Sequence, residues 1–268
     1  MFPILLHHLR VPRIGPGRPR TRPDTVAGDK AYSSRAIRTH LRERGIGACI
    51  PEPDDQKGHR KRRGSRGGRP PAFDAERYRG RNVVERAFNE DKQWRSLATR
   101  YDKLAVVYRA AAVLRAVTLW PRACLLTGGL VERQAGTVSR MESLSDGAWA
   151  LVEPLMPAAS GMGGRPFADH RRTVEGIIWR YRTGTPWRDL PAEFGPWQTV
   201  WKRHRRFAAD GTWDRVHAAL LADADAAGLI DWDVSVDSTI NRAHQHATNT
   251  KRDTGGTGEL QEPARRAR

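Results

Sequence analysis

A carboxylate, two cations and a phenol share one face of a predicted helix in the first half of the chain. The four residues are Tyr78, Arg81, Glu85 and Lys92, at offsets of three, seven and fourteen residues. At about 100° per residue, these offsets place the four side chains within roughly 60° of one another around the helix axis. Charges at such intervals are common on solvated helix faces. Spacing alone therefore favours an exposed ion-pair face.

An aspartate also ends the first predicted strand. Asp29 follows the short apolar stretch 25–27, which is succeeded by a helical pattern over 33–44 and a second strand pattern over 46–50. Strand, helix and strand in this order are typical of a parallel α/β unit. Taken alone, Asp29 is explained equally well by a turn-forming role at the end of a strand.

Another aspartate follows a strand pattern near the far end of the chain. Trp232, Val234 and Val236 alternate there with polar residues, as in a half-buried strand, and Asp237 follows them. Because Asp231 and Asp233 alternate with it, Asp237 alone is a weaker candidate than Asp29 and is explained by a solvent-facing position on the strand.

The second half of the chain predicts a small helical domain. Helices are expected over 146–155, 169–183, 196–208 and 213–227, with several tryptophans forming the core. The third of these helices carries an apolar side and a cluster of four cations, namely Lys202, Arg203, Arg205 and Arg206. This arrangement suits the second helix of a helix-turn-helix lying against DNA, although an amphipathic helix with a solvated basic face would have the same pattern.

Charge points to a polyanionic partner. The chain has 47 Lys+Arg and 30 Asp+Glu, a formal net charge of +17, so nucleic acid is the first expectation and an anionic membrane the second. Arg109 and Arg115 interrupt the apolar run 104–120, so no membrane span is expected. Cys49 and Cys124 are isolated, which predicts neither a disulfide framework nor a zinc site and fits a reducing cytoplasm.

Several segments resemble the DDE transposases of bacterial insertion sequences. Tyr78, Arg81, Glu85 and Lys92 match the signature around that family's third catalytic carboxylate, and RNVVERAFNEDKQWRSLATRYDK resembles its insertion-sequence-five branch. VAGDKAYSS resembles the second catalytic motif, and DVSVDSTINRAHQHATNT resembles the first. GRPFADHRRTVEGIIWRYRTGTPWRDLP is similar to the amino-terminal DNA-binding region.

The resemblance implies an RNase H-like α/β catalytic portion and a separate helical DNA-binding domain. It makes Asp237, Asp29 and Glu85 the catalytic residues and the ligands of two Mg²⁺ or Mn²⁺ ions. Two such ions activate the attacking oxygen and stabilise the leaving one in an in-line displacement at phosphorus, and carboxylates are the hard ligands that they prefer. The partners implied are element-end DNA and target DNA, with homo-oligomerisation left open.

The order of the motifs departs from that of the family. This chain has the second aspartate, the glutamate, the DNA-binding region and then the first aspartate, as if the carboxyl-terminal half of one copy preceded the amino-terminal half of another. The expected segments are a strand-helix-strand unit (1–53), a basic loop (54–77), the glutamate helices (78–120), a linker (121–140), the DNA-binding domain (141–228), the first strand (229–249) and a disordered tail (250–268).

Two functions remain open on the sequence. The first is a permuted, incomplete and impaired transposase, cytoplasmic and associated with the nucleoid. The second is a non-catalytic DNA-binding remnant in which the catalytic fragments do not assemble. An RNA-binding protein is a weaker alternative, because the chain has no aromatic stacking signature.

Overall fold

The computed structural model describes residues 2–127, 144–157 and 169–237, with backbone alone for residues 120–127. Three predicted parts of the chain lie outside the described residues. They are the tail 250–268, the motif residues after Asp237 and most of the linker. The chain divides into two compact units. Among the described residues, the first unit contains residues 2–90 and 221–237, and the second contains residues 91–127, 144–157 and 169–220.

A parallel sheet organises the first unit. Its strands are β1 (Thr25–Gly28), β2 (Gly47–Cys49) and β3 (Asp233–Val236). In the described residues the order is β2-β1-β3, so β1 is central and pairs in parallel with both neighbours. The predicted parallel α/β unit is confirmed, and the strand from the far end of the chain joins it.

Helices cover this sheet and complete its core. The first is α1 (Phe2–His7), and α2 (Arg35–Glu43) connects β1 to β2. Ser34 caps α2 by accepting a hydrogen bond from the Ile37 amide at 3.3 Å, which satisfies a backbone N–H that lacks a partner within the helix. The apolar residues that pack together here are Phe2, Leu6, Val26, Leu41, Ile46, Ile50 and Val236.

The basic segment after β2 is helical, and the prediction of a loop is wrong there. Residues Asp54–Arg62 form α3, and Gly64–Gly67 form a 3-10 turn. Acidic residues occupy the first turn of α3 and basic residues the last, which complements the helix dipole without any apolar periodicity. None of the α3 residues is buried.

The glutamate region is a series of helices rather than one. It contains α4 (Ala75–Gly80), α5 (Asn82–Lys92), α6 (Arg95–Thr99) and α7 (Ala105–Thr127). The helical region is interrupted near Gln93, because α5 ends one residue before it and α6 begins at Arg95. Although α7 is 23 residues long, no helix in the described part of the chain has the length and apolarity that a membrane crossing needs.

The second unit is helical. Its further elements are α8 (Asp146–Val152), α9 (His170–Thr183), α10 (Trp197–Ala209) and α11 (Thr212–Ala226), the last of which extends past residue 220. As predicted, Trp213 is buried in the core, and Trp179, Trp187 and Trp197 pack against it partly exposed.

The core of the second unit is larger than the predicted domain 141–228. Trp94, Leu97 and Leu114 belong to the same apolar cluster as the α9 and α10 side chains. Helices α6 and α7 therefore complete the core, and a fragment that starts at residue 141 would leave part of it exposed to water.

Candidate active site

Asp29 lies where the chain turns at the carboxyl end of β1. Its Oδ1 accepts a hydrogen bond from the Ala31 amide at 3.0 Å and caps the 3-10 turn Lys30–Tyr32. A short acidic side chain at such a position satisfies a backbone N–H that the turn leaves without a partner. The turn-forming role that the sequence left open for Asp29 is therefore present in the structure.

Asp237 lies at the same edge of the sheet. Gly28 and Val236 are paired in the register of β1 and β3, and each aspartate is the next residue in its strand direction. Neighbouring strands lie about 4.8 Å apart, so the two aspartates follow adjacent strand ends. The fold brings these two predicted residues together although they are far apart in the chain.

The phenol of Tyr32 connects the two strand ends. Its Oη donates a hydrogen bond to the backbone carbonyl oxygen of Asp237 at 2.8 Å. Burial raises the pKa of Tyr32, and the negative charges of Asp29 and then Asp237 raise it further. The phenol therefore stays protonated at neutral pH and keeps its donor role.

A close approach of backbone to ring makes this contact possible. A Cβ at Gly28 would lie 3.2 Å from Cδ2 of Tyr32 and 3.2 Å from Cγ2 of Val236. The ring also packs on Phe2, with centroids 5.4 Å apart. Glycine at the end of β1 thus leaves room for the side chain that holds the end of β3.

Glu85 lies elsewhere on the first unit. It is in the first turn of α5, a helix with no buried residue, and its side chain is 59% exposed. The preceding helix α4 is held at the amino end of β3, where Arg77 Nε donates to Asp233 Oδ2 at 2.7 Å. That contact is four residues along the strand from the aspartate edge, about 13 Å at 3.3 Å per residue.

Three of the predicted signature residues lie close together, although the four are divided between α4 with its carboxyl-terminal cap and α5. The Arg81 guanidinium lies 3.3 Å from the Glu85 carboxylate and 5.8 Å from the centre of the Tyr78 ring. Lys92 is the last residue of α5. The pair of Arg81 and Glu85 is the surface ion pair that the spacing alone favours.

The donor set for divalent metal ions is incomplete in the described residues. Asp29 and Asp237 offer hard carboxylate oxygens at one sheet edge. No group of three or more His, Cys, Asp or Glu side chains within the described ranges is placed to hold a metal ion. The residues that the structure brings together therefore do not by themselves fit the two-ion site that the sequence predicted.

The four predicted DNA-binding residues on α10 do not share one exposed face. Lys202 and Arg206 are exposed, and the Arg205 guanidinium lies 5.0 Å from the centre of the Trp201 ring. Arg203 is only 8% exposed, and its guanidinium donates to Thr173 Oγ1 at 3.3 Å. Burial lowers the pKa of Arg203. Arg203 therefore faces the interior, which corrects its predicted grouping with the other three.

A buried polar cluster lies in the second unit, and it was not predicted. Arg180 pairs with Asp102 at 2.9 Å, and the Tyr181 hydroxyl lies 3.0 Å from His204 Nε2. Desolvation lowers the pKa of His204 to about 4 and raises the pKa of Tyr181 well above its ordinary value. The uncharged imidazole and phenol thus link α9 to α10, while the ion pair links α9 to the segment before α7.

Tyr32 and Asp102 could not be identified from the sequence, for a common reason. Tyr32 is within the motif VAGDKAYSS and Asp102 within RYDK, but their partners are 205 and 78 residues away along the chain. A local pattern contains no signal for such contacts. For Tyr32, the sequence shows only that it lies in the same motif as Asp29.

Comparison with known proteins gives two family matches. Residues 2–120 match the family described as a transposase DDE domain. Residues 144–217 match the family described as a putative transposase of the IS4/5 family.

Two relatives cover limited parts of the chain but most of their own lengths. A Burkholderia cepacia protein described as the insertion element IS402 uncharacterized 16.2 kDa protein is 41% identical over 107 residues, which are 37% of this chain and 73% of that protein. The uncharacterized protein y4sN of Sinorhizobium fredii is 33% identical over 115 residues, which are 43% of this chain and 88% of that protein. No solved structure matches the chain.

Proposed function

The chain belongs to the DDE transposases of insertion sequences, and we propose that it is a rearranged member that binds element-end DNA and has little strand-cleavage activity. One observation carries the proposal. The parallel pairing of β1 and β3 puts Asp29 and Asp237 at adjacent strand ends, as a DDE site requires of its first two carboxylates. We assign Asp29, Asp237 and Glu85 to the catalytic set of the family.

The order of the family matches supports the rearrangement. The DDE-domain match covers residues 2–120 and comes before the IS4/5 match over residues 144–217. We propose that the chain joins the carboxyl-terminal half of one transposase copy to the amino-terminal half of another. The strand β3 then supplies the first aspartate from the far end of the chain.

Incomplete assembly of the catalytic set explains the proposed impairment. Glu85 is largely exposed on α5, and Asp237 follows a strand that has a partner on one side in the described sheet. An edge strand is held less firmly in register. Displacement of a catalytic carboxylate by about 1 Å removes much of its effect. Divalent ions would supply charge stabilisation at phosphorus when bound, and the described residues do not complete their site.

DNA binding rests on charge and on α10. The net charge of +17 favours a polyanion, and Lys202 and Arg206 are exposed on one helix of the second unit. We propose that these two side chains, with Arg205 beside Trp201, contact the phosphates of element-end DNA. We propose that the protein acts in the cytoplasm, on the nucleoid.

Strand cleavage tests the catalytic part of this proposal. The purified chain is incubated with DNA carrying the element ends and Mg²⁺ or Mn²⁺, beside the Glu85→Ala variant. We expect binding with weak cleavage at most, at a level that Glu85→Ala leaves unchanged because the Glu85 side chain is largely exposed on α5. Robust cleavage that disappears in Asp29→Ala, Asp237→Ala and Glu85→Ala would show an assembled site and contradict the impairment.

Binding by variants tests the DNA face. Charge reversal of Lys202 and Arg206 together should weaken binding and flatten its salt dependence, by about one unit of slope for each phosphate that the protein no longer neutralises. The control is charge reversal of two exposed arginines of the first unit, Arg13 and Arg18, which changes the net charge by the same amount. A chain that binds no DNA would overturn the proposed function as a whole.

The alternative is a non-catalytic DNA-binding remnant. The exposed position of Glu85 favours it over an active enzyme. Weak cleavage that requires both Asp29 and Asp237 would identify an impaired enzyme, whereas binding with no carboxylate-dependent cleavage would identify the remnant.

A further inference from the structure

A basic cleft lies in the first unit between α2 and the segment that contains α3. Its volume is about 520 Å³. Arginines from both walls line it: Arg35, Arg38, Arg42, Arg60, Arg63 and Arg69. Glu52 is the one carboxylate among its lining residues in the described chain. The cleft therefore has a strong excess of positive charge.

Two of these arginines have polar partners within the first unit. Arg38 Nη2 donates to the Ile50 carbonyl oxygen at 2.8 Å, and Arg60 pairs with Glu52. The amide of Gln56 also donates to Ser33 Oγ at 3.1 Å across the cleft. The Gln56 contact attaches α3, which has no buried residue, to Ser33, which lies two residues before the start of α2.

The other four have no such structural role. The side chains of Arg35, Arg42, Arg63 and Arg69 are exposed, and in the described part of the chain none of these side chains has an ion pair or hydrogen bond. Arg35 and Arg42 are seven residues apart on α2, so they project from the same helix face about 10 Å apart. Duplex DNA carries one charge per about 1.7 Å of its axis, so a row of this length can meet several phosphates.

The lining of the cleft adjoins the turn that Asp29 caps. Ser33 lines it, and the preceding residue, Tyr32, donates its hydroxyl hydrogen to the Asp237 carbonyl oxygen. Asp29 is four residues before Ser33 in the same short turn. A strand seated in the cleft would therefore have phosphates close to the sheet edge where both aspartates lie.

We propose that this cleft is a second DNA contact, separate from α10, which binds the sugar-phosphate backbone and guides it to the aspartate edge. This proposal rests on the DNA-handling function proposed above. Like charges that face each other across the cleft repel, and bound phosphates remove that repulsion. DNA should therefore also hold α3 more firmly in place.

Salt-dependent binding of duplex DNA by the full chain tests this site. The cleft variant carries Arg42→Gln and Arg63→Gln, one from each wall. The matched control carries Lys61→Gln and Arg66→Gln, which remove the same charge from the same basic segment outside the cleft lining. We expect the slope of log K against log[salt] to fall by about 1.8 for the cleft variant, at about 0.9 per phosphate contact, and to change little for the control.

The outcomes separate this site from the function on which it rests. Equal reductions of the slope in the cleft and control variants would overturn the cleft site while leaving DNA binding intact. No DNA binding by the unmodified chain would overturn the proposed function itself. Stronger competition by single-stranded RNA than by duplex DNA would also overturn the assignment of the occupant as DNA.

Further measurements guard against misfolding of the variant. Circular dichroism should be unchanged in both double variants, because all four side chains are exposed. Arg42→Lys with Arg63→Lys keeps the charges and should keep most of the salt slope. Tryptic cleavage within α3 should slow when DNA is added to the unmodified chain but not to the cleft variant, and equal slowing in both would contradict the site.

Discussion

Replacing Tyr32 by phenylalanine should loosen β3 from the sheet. The substitution removes the hydroxyl that donates to the Asp237 carbonyl oxygen at 2.8 Å and keeps the ring that packs on Phe2. Both the hydroxyl and the carbonyl are in a partly buried part of the first unit. The change therefore removes a single hydrogen bond, whose acceptor is the backbone carbonyl of Asp237, the residue that follows β3.

The size of the effect follows from the net contribution of such a bond. An intramolecular hydrogen bond contributes about 0.5–1.5 kcal/mol to stability. Opening of β3 should therefore become about 2 to 13 times more frequent in Tyr32→Phe, if the same bond is broken whenever the strand detaches.

Hydrogen–deuterium exchange measures this opening directly. The readout is the exchange rate of the β3 amides in a peptide that covers residues 229–237, at a pH where exchange is limited by the opening equilibrium. Tyr78→Phe is the matched control, because the Tyr78 hydroxyl has no hydrogen bond in the described residues while its ring contacts Phe73. We expect faster exchange in β3 for the Tyr32 variant alone.

Unchanged exchange in β3 would refute the reasoning. It would mean that the strand is held by its ladder with β1 without help from the phenol. Equal acceleration in both variants would also refute it, because the effect would then not depend on the bond to Asp237.

Two further predictions concern the buried polar cluster of the second unit. Asp102→Ala should destabilise this unit by about 3 kcal/mol, because it leaves the 6%-exposed Arg180 side chain without its partner. Asp214→Ala, which breaks the exposed ion pair between Asp214 and Arg109, should cost at most about 1 kcal/mol. Urea unfolding followed by tryptophan fluorescence compares the two variants, and similar losses of stability would contradict the burial argument. His204 has a pKa of about 4 when folded against 6.5 as its ordinary value, so the unfolded chain takes up the proton first. The contribution of His204 to the free energy of unfolding is therefore at its full value well above pH 6.5. It falls by about 3 kcal/mol as the pH approaches 4. His204→Asn should remove that part of the pH dependence, and an unchanged pH profile in the variant would show that other groups cause it.

Local sequence patterns were sufficient for most of the helices and strands. The alternation over 232–236 predicted β3, and the apolar stretch before Asp29 predicted β1. The resemblance to transposases then named Asp29 and Asp237, and the structure places both at adjacent strand ends. Motifs and periodicity could predict these strands and aspartates because both kinds of pattern depend on residues that are neighbours in the sequence.

Other features depend on contacts that no local pattern contains. Arg203 was grouped with its exposed neighbours, but a helix rotates consecutive residues by about 100° and places this one against Thr173. The helix α3 has no apolar period, so its charges at both ends were the available signal. The role of Trp94 and Leu97 in the second core arises from packing against helices far along the chain.

The register of β1 and β3 is the central structural claim, because it brings Asp29 and Asp237 to one edge. Nuclear Overhauser effects between backbone protons of the two strands measure it directly in the deuterated, amide-labelled protein. We predict cross-strand contacts that pair Val26 with Val234 and Gly28 with Val236 in a parallel arrangement. Contacts in a shifted or antiparallel register, or their absence alongside intact contacts between β1 and β2, would contradict the proposed site.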